Sequence, residues 1–158
     1  MFEIRRREQL TPNIYLMEIS AYWVARAAKP GQFIIIIIDD KGERIPLTIC
    51  DYNKEEGTIT IVFQIVGKST EKLAKLGKGN KLKDVVGPLG KESLLMYVPE
   101  EERANKRILF IGGGVGTAPI YPQVKWVKEN GMKADVNRGT KTHNILKLEE
   151  MMKEAEDN

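Results

Sequence analysis

An apolar run that breaks into a cluster of glycines narrows the possible folds more than any other feature of this chain. Arg107-Ile108-Leu109-Phe110-Ile111 leads directly into Gly112-Gly113-Gly114-Val115-Gly116-Thr117-Ala118-Pro119. A short apolar run bounded by turn residues reads as a buried strand. Four of the five residues from Gly112 to Gly116 have no side chain, so the backbone can turn tightly and a ligand can lie against it. A helix starting there points free N–H groups at whatever lies over the turn, and these favour an anion. A diphosphate is the natural occupant; a plain tight connection is the alternative.

The helix after the glycines carries Ile120, Val124 and Val127 on one side and stops at Asn130-Gly131. A short strand is expected over 133–138 and a second helix over 142–156, with Ile145, Leu148 and Met152 inward. The first hundred residues have a different rhythm. Strands are expected on both sides of Thr11-Pro12-Asn13, with Ile14, Leu16 and Ile19 inward. Further strands are expected at Phe33 to Ile38, buried on both faces, at Ile45 to Tyr52, Thr58 to Val66, Lys81 to Val86 and Leu94 to Val98. In Thr58 to Val66, Ile59, Ile61, Phe63 and Ile65 fall on one face. A short helix follows Gly67-Lys68, with Ser69 as its cap and Gly77 as its stop. Pro99 to Lys106 is highly charged and reads as a linker.

The 158 residues suit one domain or two small ones, and 42% hydrophobic with 30% charged residues suits a globular chain. The net charge is +3, and basic and acidic residues are interspersed. No basic block or basic–aromatic interleaving points to nucleic acid, and Arg5-Arg6-Arg7 reads as a solvated strand end. The single cysteine, Cys50, permits no intrachain disulfide and no metal site of its own. No apolar run reaches membrane length and no leader is evident, so no membrane partner and a cytoplasmic location are expected. There is no metal-ligand cluster and no carboxylate pair with hydrolase spacing. The lone His143, at the start of a helix-like stretch, reads as exposed. Tyr22 and Trp23 read as barrel core or rim.

Five motifs occur in a telling order: Pro30-Gly31-Gln32-Phe33, Arg44-Ile45-Pro46-Leu47-Thr48-Ile49, Val66-Gly67-Lys68-Ser69-Thr70, Gly87-Pro88-Leu89-Gly90, and the glycine stretch from Gly112 to Pro119. In this the chain resembles the ferredoxin–NADP reductase superfamily, and within it the electron-transfer subunit of dihydroorotate dehydrogenase and the small subunit of sulfide dehydrogenase or NADH-dependent ferredoxin:NADP oxidoreductase. The resemblance implies a six-stranded antiparallel FAD-binding barrel over 1–99, followed by a partial NAD(P)-binding α/β domain over 107–158. It implies that Pro46, Leu47, Thr48 and Ile49 lie along the flavin ring, with Leu47 and Ile49 in apolar contact. Gly67, Lys68, Ser69 and Thr70 would meet the flavin diphosphate. Gly113, Gly114, Gly116 and Thr117 would meet the NAD(P) diphosphate, and Lys141 the adenosine ribose.

The chain departs from the family at three places. Relatives carry arginine immediately before the Pro-Leu-Thr/Ser triplet, whereas Ile45 stands here and Arg44 comes one residue earlier. One residue changes the face in a strand. Either Arg44 reaches the phosphate through a local irregularity, or Lys68 and the helix start carry more of the binding. Lys141 replaces an arginine and leaves NADH and NADPH open. The relatives' [2Fe–2S] cysteines have no counterpart, and one cysteine cannot supply four thiolates, so no iron–sulfur cluster is expected in this chain. The function implied is an FAD-binding electron-transfer subunit between NAD(P)H and a larger catalytic subunit, with no catalytic side chain of its own. The alternative is a non-catalytic barrel module that docks to a partner. The strand at 107–112 reads as one meant for burial on both sides, so a partner subunit or self-association is expected to complete the second half.

Overall fold

The structure, a computed structural model, describes residues 2–138 and Glu150. The helix expected over 142–156, His143 and Lys141 lie outside the described residues. Among those described, β-branched and aromatic residues build a nearly closed antiparallel sheet from β1 (Phe2–Thr11), β2 (Ile14–Ser20), β3 (Phe33–Ile37), β4 (Arg44–Asn53), β5 (Thr58–Gln64), β6 (Lys81–Leu82) and β7 (Asp84–Leu89). The order is β6-β1-β2-β5-β4-β3-β7. Seven strands appear where six were expected because the Lys81–Val86 run changes neighbour at Lys83. There the Lys83 N–H donates to the Ile38 carbonyl at 3.1 Å. Before it, β6 pairs with β1; after it, β7 pairs with β3, so one broken run brings the two ends of the sheet together.

Strand alternation fills the interior. Met17 and Ile19 of β2, Ile34 and Ile36 of β3, Ile49 of β4, and Ile59, Ile61 and Phe63 of β5 share one core. Each such side chain contributes about 1.5–3 kcal/mol of burial. The opposite faces of β2, β4 and β5 are apolar too. Ile14, Leu16, Cys50 and Val62 form a second core with Phe110, Ala118, Tyr121, Val124 and Val127. Ile14 and Leu16 therefore point away from Ile19, as a period of two requires. β3 is fully buried on one face only; Phe33, Ile35 and Ile37 are half-buried on the other.

One expected strand is corrected. Leu94–Tyr97 is a 3-10 turn, not a strand. Ser93 holds the start of this turn by donating its N–H to the Pro30 carbonyl (2.8 Å), while its hydroxyl bonds Gln123 Oε1 (2.8 Å). The linker contains α3 (Glu100–Arg103). The alanine-rich stretch after β2 forms α1 (Tyr22–Ala27), on which Trp23 is 79% exposed and meets Tyr22 edge to face. Tyr22 packs over Gly57, where a Cβ would lie 2.7 Å from its ring.

The second sheet is the parallel pair β8 (Arg107–Gly112) and β9 (Lys133–Arg138), joined through α4 (Thr117–Glu129). Ile108 and Phe110 face α4, whereas Leu109 (61% exposed) and Ile111 (72%) face away from it. The double-sided burial expected for β8 is therefore met on one side only.

Candidate functional site

β4 presents two faces to different surroundings. Ile45, Leu47 and Ile49 turn toward the barrel core, while Arg44, Pro46 and Thr48 turn out. Ile49 is 1% exposed and Leu47 packs against the same core, so alternation turns both side chains to the interior. β3 supplies the outer neighbours, since Ile37 pairs with Arg44, Ile35 with Pro46 and Phe33 with Thr48. Val86 and Leu89 of β7 lie across from Ile35 and Phe33. The result is an apolar shelf with one hydroxyl. Sequence reading missed Phe33 and Ile35, because five successive isoleucines show no phase; pairing with Pro46 supplies it.

The backbone of β4 is open beside this shelf. It pairs with β3 over Arg44–Thr48, but with β5 only from Ile49 to Asn53. One edge of Arg44–Thr48 therefore has no strand beside it. Arg44 projects on the same face as Pro46 and Thr48, because Ile45 is the residue turned inward. Its guanidinium has no hydrogen-bond or ion-pair partner among the described residues.

The start of α2 (Lys68–Ala74) lies at the same corner. Gly67, not Ser69, is the cap. The Thr70 hydroxyl accepts from Val66 N (2.9 Å) and Gly67 N (3.1 Å) and donates to the Gly67 carbonyl (3.0 Å). Thr70 thus shapes the loop and is buried. The Ser69 hydroxyl donates to Glu43, the residue before Arg44. Ion pairs of Lys72 with Asp39 and Lys83 with Asp40 clasp the β3–β4 turn from either side. Gly67 has open space where a side chain would be, and Lys68 is exposed. The structure thus brings Arg44 and the Gly67–Ser69 segment together through Glu43.

The glycine turn is built for close packing at one end and openness at the other. A Cβ on Gly112 would lie 2.3 Å from Ile120 Cδ1, so glycine lets α4 settle on β8. Gly114 has φ +57°, and nothing lies within 4 Å of a Cβ at Gly114 or Gly116. The Gly116 N–H donates to the Gly113 carbonyl at 3.0 Å. No side chain caps α4, and Thr117 is buried beneath the turn.

Where the barrel meets α4, Lys125 Nζ lies 3.4 Å from Asp51 Oδ1. Burial, then the charges of Asp51 and Glu129, push the Tyr52 phenol up to about 12.

An antiparallel barrel with an open strand edge, followed by a β–glycine turn–α unit packed against it, is a ferredoxin–NADP reductase-like fold. The chain superimposes with a TM-score of 0.83 and 36% identity on an NADH-dependent reduced ferredoxin–NADP oxidoreductase studied for flavin-based electron bifurcation, over 92% of this chain and 50% of that one. It is a homologue of the electron-transfer subunits of dihydroorotate dehydrogenase B. A Thermotoga maritima protein named as a homolog of that subunit is 37% identical over 155 residues, covering 98% of this chain and 52% of the relative. A Clostridium beijerinckii protein described as an uncharacterized protein in the adh 3′ region is 51% identical over 158 residues, covering 100% and 53%. The chain therefore spans about half the length of the curated relatives it matches. No protein-family model matches it.

Proposed function

We propose that the chain binds FAD on the outer face of β3 and β4 and acts as an electron-transfer subunit, taking electrons from NAD(P)H and delivering them to a larger catalytic subunit. The observation that carries this is the one-sided pairing of Arg44–Thr48 beside an apolar shelf. Backbone donors and acceptors on that edge suit the polar rim of a flavin ring, and Phe33, Ile35 and Pro46 would keep water from one side of it. Thr48 adds a hydroxyl at the shelf. Arg44 and Lys68 would neutralise the diphosphate, with open Gly67 between strand and helix. The residues present fit the group. Bound FAD would supply the step between two-electron hydride chemistry and one-electron transfer. The open Gly114–Gly116 turn would take the diphosphate of NAD(P).

The test is a titration of the purified chain with FAD, followed by flavin fluorescence and visible absorbance. Quenching to a saturable endpoint, with a yellow protein after gel filtration, is expected. A chain that neither quenches nor retains flavin would refute the reading.

A further inference from the structure

We propose that Gln32 is the positioning residue for the ring-bearing strand; the inference rests on the reading that FAD lies against Arg44–Thr48. Gln32 is only 9% exposed, yet it carries a primary amide. Buried polar groups of this kind persist when hydrogen-bonded, and here both ends of the amide are. Oε1 accepts from the Lys29 N–H at 3.0 Å, and Nε2 donates to the Gly90 carbonyl at 2.9 Å. The Gln32 backbone carbonyl accepts from the Ile49 N–H at 3.2 Å.

Those contacts lie where the site is defined. Ile49 is where β4 ends its one-sided stretch and takes up pairing with β5. Gly90 directly follows the end of β7, and the Phe33 ring of the shelf packs against it; a Cβ there would sit 3.1 Å from Phe33 Cε1. The Pro30–Gly31 turn is tethered as well, since the Pro30 carbonyl accepts from the Ser93 N–H at 2.8 Å. One amide therefore ties the start of β3, the end of the open edge and the end of β7 into one geometry.

The position requires a donor and an acceptor on one planar group. An ionised glutamate side chain in place of the amide has only acceptors and would set a carboxylate against the Gly90 carbonyl. A protonated carboxylic acid restores both roles. The charged groups of these turns are Lys29 and Glu92, 3.6 Å apart, and the neighbouring Lys91.

The full chain carrying Gln32→Glu, shown folded by circular dichroism, is titrated with FAD, riboflavin and ADP. Riboflavin reports the ring alone and ADP the diphosphate half alone. Expected is a loss of about tenfold for FAD and riboflavin alike with ADP unchanged, and recovery as pH falls from about 7.5 to about 5, over which the wild type stays level. General loosening would instead weaken all three ligands. Should Gln32→Glu fail to fold, Gln32→Met keeps the length without the polar atoms and is expected to show the same split, without the pH recovery. Flavin binding equal to wild type, or equal losses for ADP and riboflavin, would overturn the proposal. A wild-type chain that binds no flavin would remove the underlying reading as well.

Discussion

Cys50 sits at the seam of the molecule, on the β4 face that packs under α4, and is fully buried. Burial, then the neighbouring Asp51 charge, pushes its thiol up from 9.0 to about 12. The native chain is therefore expected to react with a thiol reagent only as fast as the seam opens, and denaturant should release the reaction. The sign of the pH effect follows. A thiol whose folded pKa lies above its unfolded value stabilises the fold fully below the unfolded value, and that stability is lost as pH rises from about 9 to about 12. A Cys50→Ser variant losing as much stability over this window as wild type would contradict the assignment. The glycine turn gives a second test. Gly112→Val must displace Ile120 and is expected to cost about 1–3 kcal/mol in denaturant melts. Gly114→Ala meets no atom but holds a left-handed backbone angle, costing about 1–2 kcal/mol. Only the Gly114 change, on the open side, is expected to weaken NAD(P) in a binding titration.

α4 is the element that joins the parts. Val124 and Val127 are fully buried in the same cluster as Leu16, Cys50 and Val62 of the barrel. Val124→Ala is expected to remove about 1–3 kcal/mol. In a Trp23→Phe background, Trp126 fluorescence, reporting α4, and far-ultraviolet circular dichroism, dominated by the larger barrel, should melt together; separated midpoints would show independent halves. This joint packing also explains what was legible beforehand. β5 is readable because Ile59, Ile61 and Phe63 alternate with Thr58 and Thr60. β2 is less so, because both its faces are buried and Ile14, Leu16, Met17 and Ile19 carry no single phase. Leu94–Tyr97 has strand-like composition, but whether it pairs depends on contacts to Pro30 and Gln123, far away in sequence. At the proposed site, the motifs named segments that the fold sets near one another. The face that each residue takes came from pairing: Arg44 outward, Ile49 inward, and Thr70 occupied by its own loop.

At the scale of the whole chain, the side of β8 away from α4 bears Leu109 and Ile111, with the Arg107–Asp135 ion pair beside them. Among the described residues this sheet has two strands and one exposed apolar face, an arrangement that is marginal alone. The wild-type chain is expected to associate through this face, with a partner subunit or a second copy. Ile111→Lys should then lower the mass seen by light scattering while changing stability by no more than about 0.5 kcal/mol. A monomeric wild type with strong hydrogen-exchange protection throughout 107–138 would argue against a missing cover. Because side chains of β2, β4 and β5 grip α4 directly, the separation between the apolar shelf and the glycine turn is not metered by the peptide that connects them. That connector runs through α3 to Asn105, with Pro99 to Glu102 exposed. It is a place where a gene can absorb insertions, or an engineer a tag, with the two proposed cofactor sites kept at a fixed spacing.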